Sequence, residues 1–262
     1  MEFCIYKNKI MAHQISTLEG KKDRTLEGRK VVLLGASSGL GLATAKAAAA
    51  EGAKVIIVSG NSQRIGQALQ ELPKGSEGFT VDLGKEDNIK EFFDKAGRFD
   101  HLVYTAGENI SLGNISETEI EKARQFFTIR FWGAFAAVKY GAPHINEGGS
   151  INLTSGIAST RPGKGWSVAS SICGAMEGFV RAMAVELAPI RVNSVVPGVV
   201  RTNLWNSMPP ADRDNFYKTI GDSLLVQRVG EGEDIARAFL YLMKQPFATG
   251  QNMIIDGGSV LV

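Results

Sequence analysis

An α/β architecture is expected from three features of the chain. Short β-branched runs alternate with helical stretches from Arg29 onward, a glycine-rich turn joins the first strand to the first helix, and no linker or repeat breaks the alternation. The pattern implies a single doubly wound domain over residues 28–262, with a seven-stranded, mainly parallel sheet and helices on both faces. Residues 1–27 are polar, mixed in charge and without period, and are expected to form a flexible extension.

The first strand, Val31–Leu34, is an unbroken apolar run, and the Ala-rich stretch Leu40–Glu51 behind it favours helix. Lys54–Ser59 with Ser62–Leu72 forms the second strand–helix pair, and Gly78–Asp82 with Asp87–Ala96 the third. The fourth strand, His101–Thr105, leads to one long helix across Glu117–Tyr140. Ser150–Thr154 and Ala169–Leu187 form the fifth pair, and Arg191–Val196 is the sixth strand. The segment Trp205–Leu225, with Pro209 and Pro210, reads as irregular; Glu233–Lys244 is the last helix and Asn252–Ile255 the seventh strand. Right-handed crossovers place a ligand crevice at the carboxyl ends of the strands, where their order reverses.

Composition excludes several classes of function. With 262 residues, 44% hydrophobic and 21% charged, the chain can bury a core without disulfides or metal. No apolar run approaches the roughly 20 residues that span a bilayer, so no membrane partner is expected. A net charge of +2 without a basic, aromatic-laced stripe gives no footprint for nucleic acid. Cys4 and Cys173 build neither a disulfide framework nor a metal site, and the first residues lack the basic and apolar regions of a leader, so a cytoplasmic setting is expected. Met11 is a second candidate start.

The first strand ends in Gly35-Ala36-Ser37-Ser38-Gly39-Leu40-Gly41, which opens directly into a helix. Glycines let the backbone turn tightly and approach a pyrophosphate, while the helix amino end offers free N–H groups and a positive dipole. No Lys-Ser or Lys-Thr follows, so this is not a nucleoside-triphosphate loop of the Walker type. At the end of the second strand an acidic residue would bond a ribose 2′-hydroxyl and repel a 2′-phosphate. Here Ser59, Gly60, Asn61, Ser62, Gln63 and Arg64 supply hydroxyls, an amide and a guanidinium, which favours NADP(H) over NAD(H). Arg64 reads either as a phosphate ligand or as a solvated helix-surface charge.

Four further signatures follow in order: Asp82-Leu83 after the third strand, Thr105-Ala106-Gly107 after the fourth, Ser155 after the fifth, and Pro197-Gly198 with Thr202 after the sixth. With the glycine turn, they make the chain resemble the short-chain dehydrogenases/reductases, a family of Rossmann-fold oxidoreductases, over residues 28–262. The resemblance implies that Asp82 and Leu83 border the adenine, Ala106 and Gly107 the adenosine ribose, and Val200 and Thr202 the nicotinamide carboxamide. It also implies that Trp205–Leu225 is a mobile substrate lid. The apolar helices 126–140 and 172–187 would pair across a two-fold axis in a homodimer or homotetramer.

In that family a tyrosine protonates the alkoxide formed by hydride transfer, and a lysine four residues later lowers its pKa and holds the ribose. Registered on Gly174-Ala175-Met176-Glu177-Gly178, this chain carries Ala169 and Cys173 at those positions. No other tyrosine restores the motif: Tyr6, Tyr104, Tyr140, Tyr217 and Tyr241 are followed four residues on by Ile10, Glu108, His144, Gly221 and Gln245. The family's asparagine on the fourth helix is replaced by Arg130, and Ser155 alone remains of the usual four. A positioned general acid is worth a factor of about 10²–10⁴, so an ordinary ketone reductase would lose heavily. An iminium ion needs no such acid, because arriving hydride neutralises it.

Arg130, Ser155 and Trp166 are the candidate catalytic residues. Arg130 would bind a carboxylate or polarise an amide carbonyl, or else stand as a helix-surface or interface charge. Trp166 would stack on an aromatic or cationic substrate, or cover the helix end. Ser155 would donate to substrate, or only terminate its strand. Cys173 reads as a buried small residue rather than a nucleophile.

Ser171–Gly178 resembles the corresponding helix of a divergent fungal branch that includes bifunctional reductase/Diels–Alderases of prenylated indole alkaloid pathways. Arg130 and Trp166 match that pattern, but the cyclases carry an aspartate where this chain has Gly165. Three functions therefore stand open: an NADPH-dependent reductase of an activated intermediate, a cyclase or isomerase using NADP as scaffold, and a non-catalytic nucleotide-binding protein.

Overall fold

The computed structural model describes residues 25–108 and 112–262; most of the expected N-terminal extension lies outside them. Leu26, near the start of the described residues, is buried in the core. Seven strands form one sheet: β1 (Lys30–Leu34), β2 (Lys54–Ser59), β3 (Glu77–Thr80), β4 (Phe99–Tyr104), β5 (Ile145–Thr154), β6 (Arg191–Pro197) and β7 (Asn252–Ile255). Their order is β3-β2-β1-β4-β5-β6-β7, with every neighbouring pair parallel. The order reverses between β1 and β4, the switch point at which doubly wound sheets hold their ligands.

Two cores explain the unbroken apolar runs. Val31 and Leu33 of β1, with Val55 and Ile57 of β2, enter the core covered by α1 (Gly39–Ala50), α2 (Ser62–Gln70) and a C-terminal helix over Gly232–Lys244. Val32, Leu34, Ile56 and Val58 enter the opposite core, built with α3 (Glu86–Ala96) and helices from the segment 120–186. Strands buried on both faces cannot alternate apolar with polar.

The structure corrects two sequence expectations. The single long helix across Glu117–Tyr140 is broken: α4 (Ile120–Phe127) passes into a π-helical turn, Thr128–Gly133, and then into α5 (Ala134–Gly141). The segment Trp205–Leu225 is largely regular, since α7 (Pro210–Ser223) starts with proline at its first position, where no amide partner is needed. Between them runs α6 (Ser167–Glu186). By length and mean hydropathy α6 is apolar enough to cross a bilayer, although Glu177, Arg181 and Glu186 leave it without an uninterrupted apolar run. It lies instead against β5 and β6, with Ala169, Ile172, Met176, Phe179 and Val180 buried. The last helix, α8 (Gly232–Lys244), opens on a reciprocal cap between Glu231 and Asp234. Arg228 lies 2.6 Å from the Asp234 carboxyl and holds its pKa down to about 2.

Candidate active site

The carboxyl ends of the central strands open into a cleft of about 660 Å³. Its floor is the turn after β1. Gly35 has φ +88°, and a Cβ there would stand 2.3 Å from the Ala106 nitrogen; a Cβ on Gly41 would stand 2.5 Å from the Gly35 carbonyl and from Thr105 Oγ1. These glycines let the turns after β1 and β4 touch. Thr105 closes the contact by donating to the carbonyls of Leu34 and Gly35 at 3.3 and 3.2 Å. Ser37 donates to Ser59 at 2.9 Å, tying the glycine turn to the end of β2. Ser38 is the N-cap of α1 without a side-chain cap bond, and the first turn holds no acidic residue. The leading amides stay available to an anion.

Most expected cofactor residues line this cleft: Gly35, Ser37, Ser38, Gly39, Leu40, Gly41, Ser59, Arg64, Asp82, Leu83, Thr105, Ala106, Gly107, Pro197, Gly198, Val200 and Thr202. Asn61 and Ser62 do not. Asn61 caps α2, its side chain accepting from the Arg64 amide at 2.9 Å, and Ser62 begins that helix. Asp82 accepts from the Gly84 amide at 3.0 Å, and Thr202 caps a short turn by accepting from Leu204. Glycines no Cβ could replace, an uncapped helix end, and the Arg64 guanidinium, which among the described residues forms no ion pair, make a donor set that fits a dinucleotide carrying a 2′-phosphate.

Arg130 sits in the π-helical turn, a distortion frequent at functional sites. The turn is pinned by Tyr104, whose hydroxyl donates to the Ile129 carbonyl at 2.5 Å. The guanidinium lies 4.7 Å from the Phe126 ring centroid, covers Gly107 closely and donates to the Glu108 carbonyl. Burial draws its pKa down, and the Glu108 carboxyl opposes that.

Ser155 is held by its amide on the Val195 carbonyl at 2.9 Å. Its hydroxyl is directed to the Cys173 carbonyl at 3.2 Å and Glu177 Oε1 at 3.4 Å, and Ser159 also donates to Glu177. Ala169 and Cys173 both line the cleft. Burial pushes the Cys173 thiol up, which disfavours the nucleophilic thiolate. Among the described residues no tyrosine or lysine lines the cleft. Tyr104 is buried with its hydroxyl committed to Ile129, and its pKa is raised by that burial.

Trp166 caps α6 and packs toward the Trp205–Tyr217–Val229 cluster beneath α7, forming an aromatic wall with Phe216. Gly165 has φ +83° and its carbonyl accepts from the Gly113 amide at 3.0 Å. An aspartate there would be strained, so Gly165 suits this loop's backbone. Phe216 and Ile220 of α7 line the cleft from within the segment expected to cover the substrate, whereas Glu108 and Phe126 line it without having been expected; of these two Glu108 had a signal, its place directly after Thr105-Ala106-Gly107.

The fold and this site define a Rossmann-type oxidoreductase scaffold. A family model described as enoyl-(acyl carrier protein) reductase matches residues 35–259. A short-chain dehydrogenase/reductase of Gibberella fujikuroi is 31% identical over 260 residues, covering 92% of this chain and 98% of its own. The short-chain dehydrogenase/reductase MalC of Malbranchea aurantiaca is 30% identical, covering 90% and 96%. Among solved structures, the MalC reductase/Diels-Alderase superposes with a TM-score of 0.83 at 28% identity over 90% of this chain and 97% of that one. A small-chain dehydrogenase in complex with NADPH superposes with a TM-score of 0.77 at 32% identity over 90% and 100%. The chain belongs to the short-chain dehydrogenase/reductase family.

Proposed function

We propose that this chain is an NADPH-dependent reductase of an iminium or similarly activated intermediate in specialised, alkaloid-type metabolism. One observation carries the reading: the cleft keeps its glycine cradle and is lined by Ala169 and Cys173, the residues that the resemblance registers on the family's acid and lysine. The neighbour bound to NADPH and the fungal relatives, one a reductase/Diels-Alderase, support it.

In this reading the α1 amides and Ser37–Gly41 hold the pyrophosphate, Ser59 and Arg64 meet the 2′-phosphate, and Val200 and Thr202 meet the carboxamide. A bound reduced nicotinamide supplies the hydride. Trp166 and the α7 wall exclude water and stack on the substrate. Arg130 polarises a carbonyl or binds a carboxylate elsewhere on the substrate, its charge softened by Phe126. Ser155, with its proton directed to the Cys173 carbonyl and Glu177, offers lone pairs to a substrate N–H.

The aromatic wall also suits a second reading, a cyclase that holds NADP as scaffold; the glycine at 165 weighs against it. A nicotinamide absorbance assay over cyclic iminium and carbonyl substrates separates the two. Oxidation of NADPH with iminium alone supports the reductase; altered product stereochemistry without oxidation supports the cyclase. Exposed Trp132 and Phe135 on the π turn and α5, and Val185 on α6, support a homodimer or homotetramer through helices 126–140 and 172–187.

A further inference from the structure

Glu108 lines the cleft immediately after the turn that crosses beneath Arg130. Its backbone carbonyl accepts from the Arg130 guanidinium, which ties the two residues together. Its Oε2 is buried without a hydrogen-bond partner, as is Arg130 Nε, and among the described residues Glu108 forms no ion pair. A buried carboxylate oxygen with nothing to accept from is costly, whereas a protonated acid carries less of that cost and holds a hydrogen ready to give.

We propose that Glu108 is the proton donor of this site, delivering its proton to the nitrogen of a neutral imine in the cleft. The inference rests on the reductase reading and adds how the activated substrate arises. The Glu108 O–H bond breaks and an N–H bond forms with the nitrogen lone pair, leaving a carboxylate and an iminium cation. Hydride supplied by the reduced nicotinamide then fills the C=N carbon and neutralises the cation, and a solvent proton restores the acid. A ketone oxygen is far too weakly basic to be protonated first, which is why an imine suits a carboxylic acid donor.

The charged and titratable groups facing Glu108 are Arg130 on the π turn and Tyr104 on β4, with Cys173 on α6 beyond Arg130. Burial raises the Glu108 pKa, while Arg130 and the backbone amides of Glu108 and Ile129 pull it back. The acid is thus protonated more readily than an ordinary glutamate, and its conjugate base has a cation beside it.

The test is Glu108→Gln in the full chain with two matched probes: trimethylindolenine, a neutral imine at neutral pH, and its N-methyl indolium salt, which is permanently cationic. NADPH binding, followed by fluorescence, reports that the variant is folded. The expected loss of kcat/KM is about 10²-fold or more for the neutral imine, and at least tenfold smaller for the indolium salt. Infrared difference spectra of the NADP⁺ complex should show a protonated carboxyl band at neutral pH that is absent from Glu108→Gln. Equal losses on both probes, or no such band in the wild type, overturn the role of Glu108. If the wild type reduces neither probe, the reductase reading falls and the donor with it.

Discussion

The cofactor cradle depends on the absence of one methyl group. In Gly41→Ala the new Cβ would stand 2.5 Å from the Gly35 carbonyl and Thr105 Oγ1, where ordinary contact begins at 3.4 Å. Something must move by about 0.9 Å, and both neighbours belong to the packed turns. Overpacking of this kind costs about 1–3 kcal/mol, and the better helix propensity of alanine returns about 1. The net fall in stability is up to about 2 kcal/mol, or a few degrees in Tm for a domain of this size. The larger effect falls on the ligand. Displacing the first amides of α1 weakens two charge-assisted hydrogen bonds worth about 1.5–3 kcal/mol each, so losing half of that raises the NADPH Kd by about 10–100-fold. Fluorescence titration and thermal melts measure the two quantities. Gly66→Ala on α2 is the control: nothing lies within 4 Å of its Cβ, so the variant should gain about 0.5–1 kcal/mol with unchanged Kd. A Gly41→Ala protein that binds NADPH as the parent does would refute the cradle.

Other outcomes follow from single side chains. Arg64→Ala should weaken NADPH binding about tenfold, the scale of one partly exposed phosphate contact, and leave NADH binding nearly unchanged; equal losses in parallel titrations would return Arg64 to a surface role. Arg130→Ala should lower turnover more than NADPH affinity, and steady-state rates beside cofactor titration decide; equal loss of both removes its substrate role. Asp234→Asn removes the carboxylate that pairs with Arg228 while keeping an oxygen to accept from the Glu231 amide, and should cost about 1 kcal/mol near neutrality by denaturant melts. Because the Asp234 pKa is depressed from 3.8 to about 2 in the fold, its contribution is present above about pH 4 and lost as pH falls through 2. The parent's advantage should therefore vanish in acid, and one that persists would assign the effect to packing.

What the sequence made legible was local. β1 and β2 are read from unbroken apolar runs because a strand with helices on both faces leaves no polar alternation. The glycine turn is legible because its spacing falls within seven residues, although the close approach that demands Gly35 comes from Ala106 on the turn after β4. The first half of β5 was hidden because Glu147, Gly148 and Gly149 carry no strand signal; its pairing with β4 comes from Ile145 opposite Phe99 across a shift in register. The π turn under Arg130 was equally hidden, since Tyr104 pins it from another strand. Asn61 shows a local signal given the other meaning, an N-cap read as a ligand. Glu108 was missed because its partnership with Arg130, 22 residues away in the chain, exists only once the π turn folds over Gly107.

The most direct test is a competition with NADPH deuterated at the transferable position, given equal amounts of a cyclic iminium and the ketone of the same skeleton. Mass spectrometry of the products should find one deuterium at the former C=N carbon of the amine and none in the alcohol. Deuterated alcohol forming as fast as deuterated amine would mean that the cleft delivers protons to carbonyl oxygen despite Ala169 and Cys173, and the case for an activated substrate would end there.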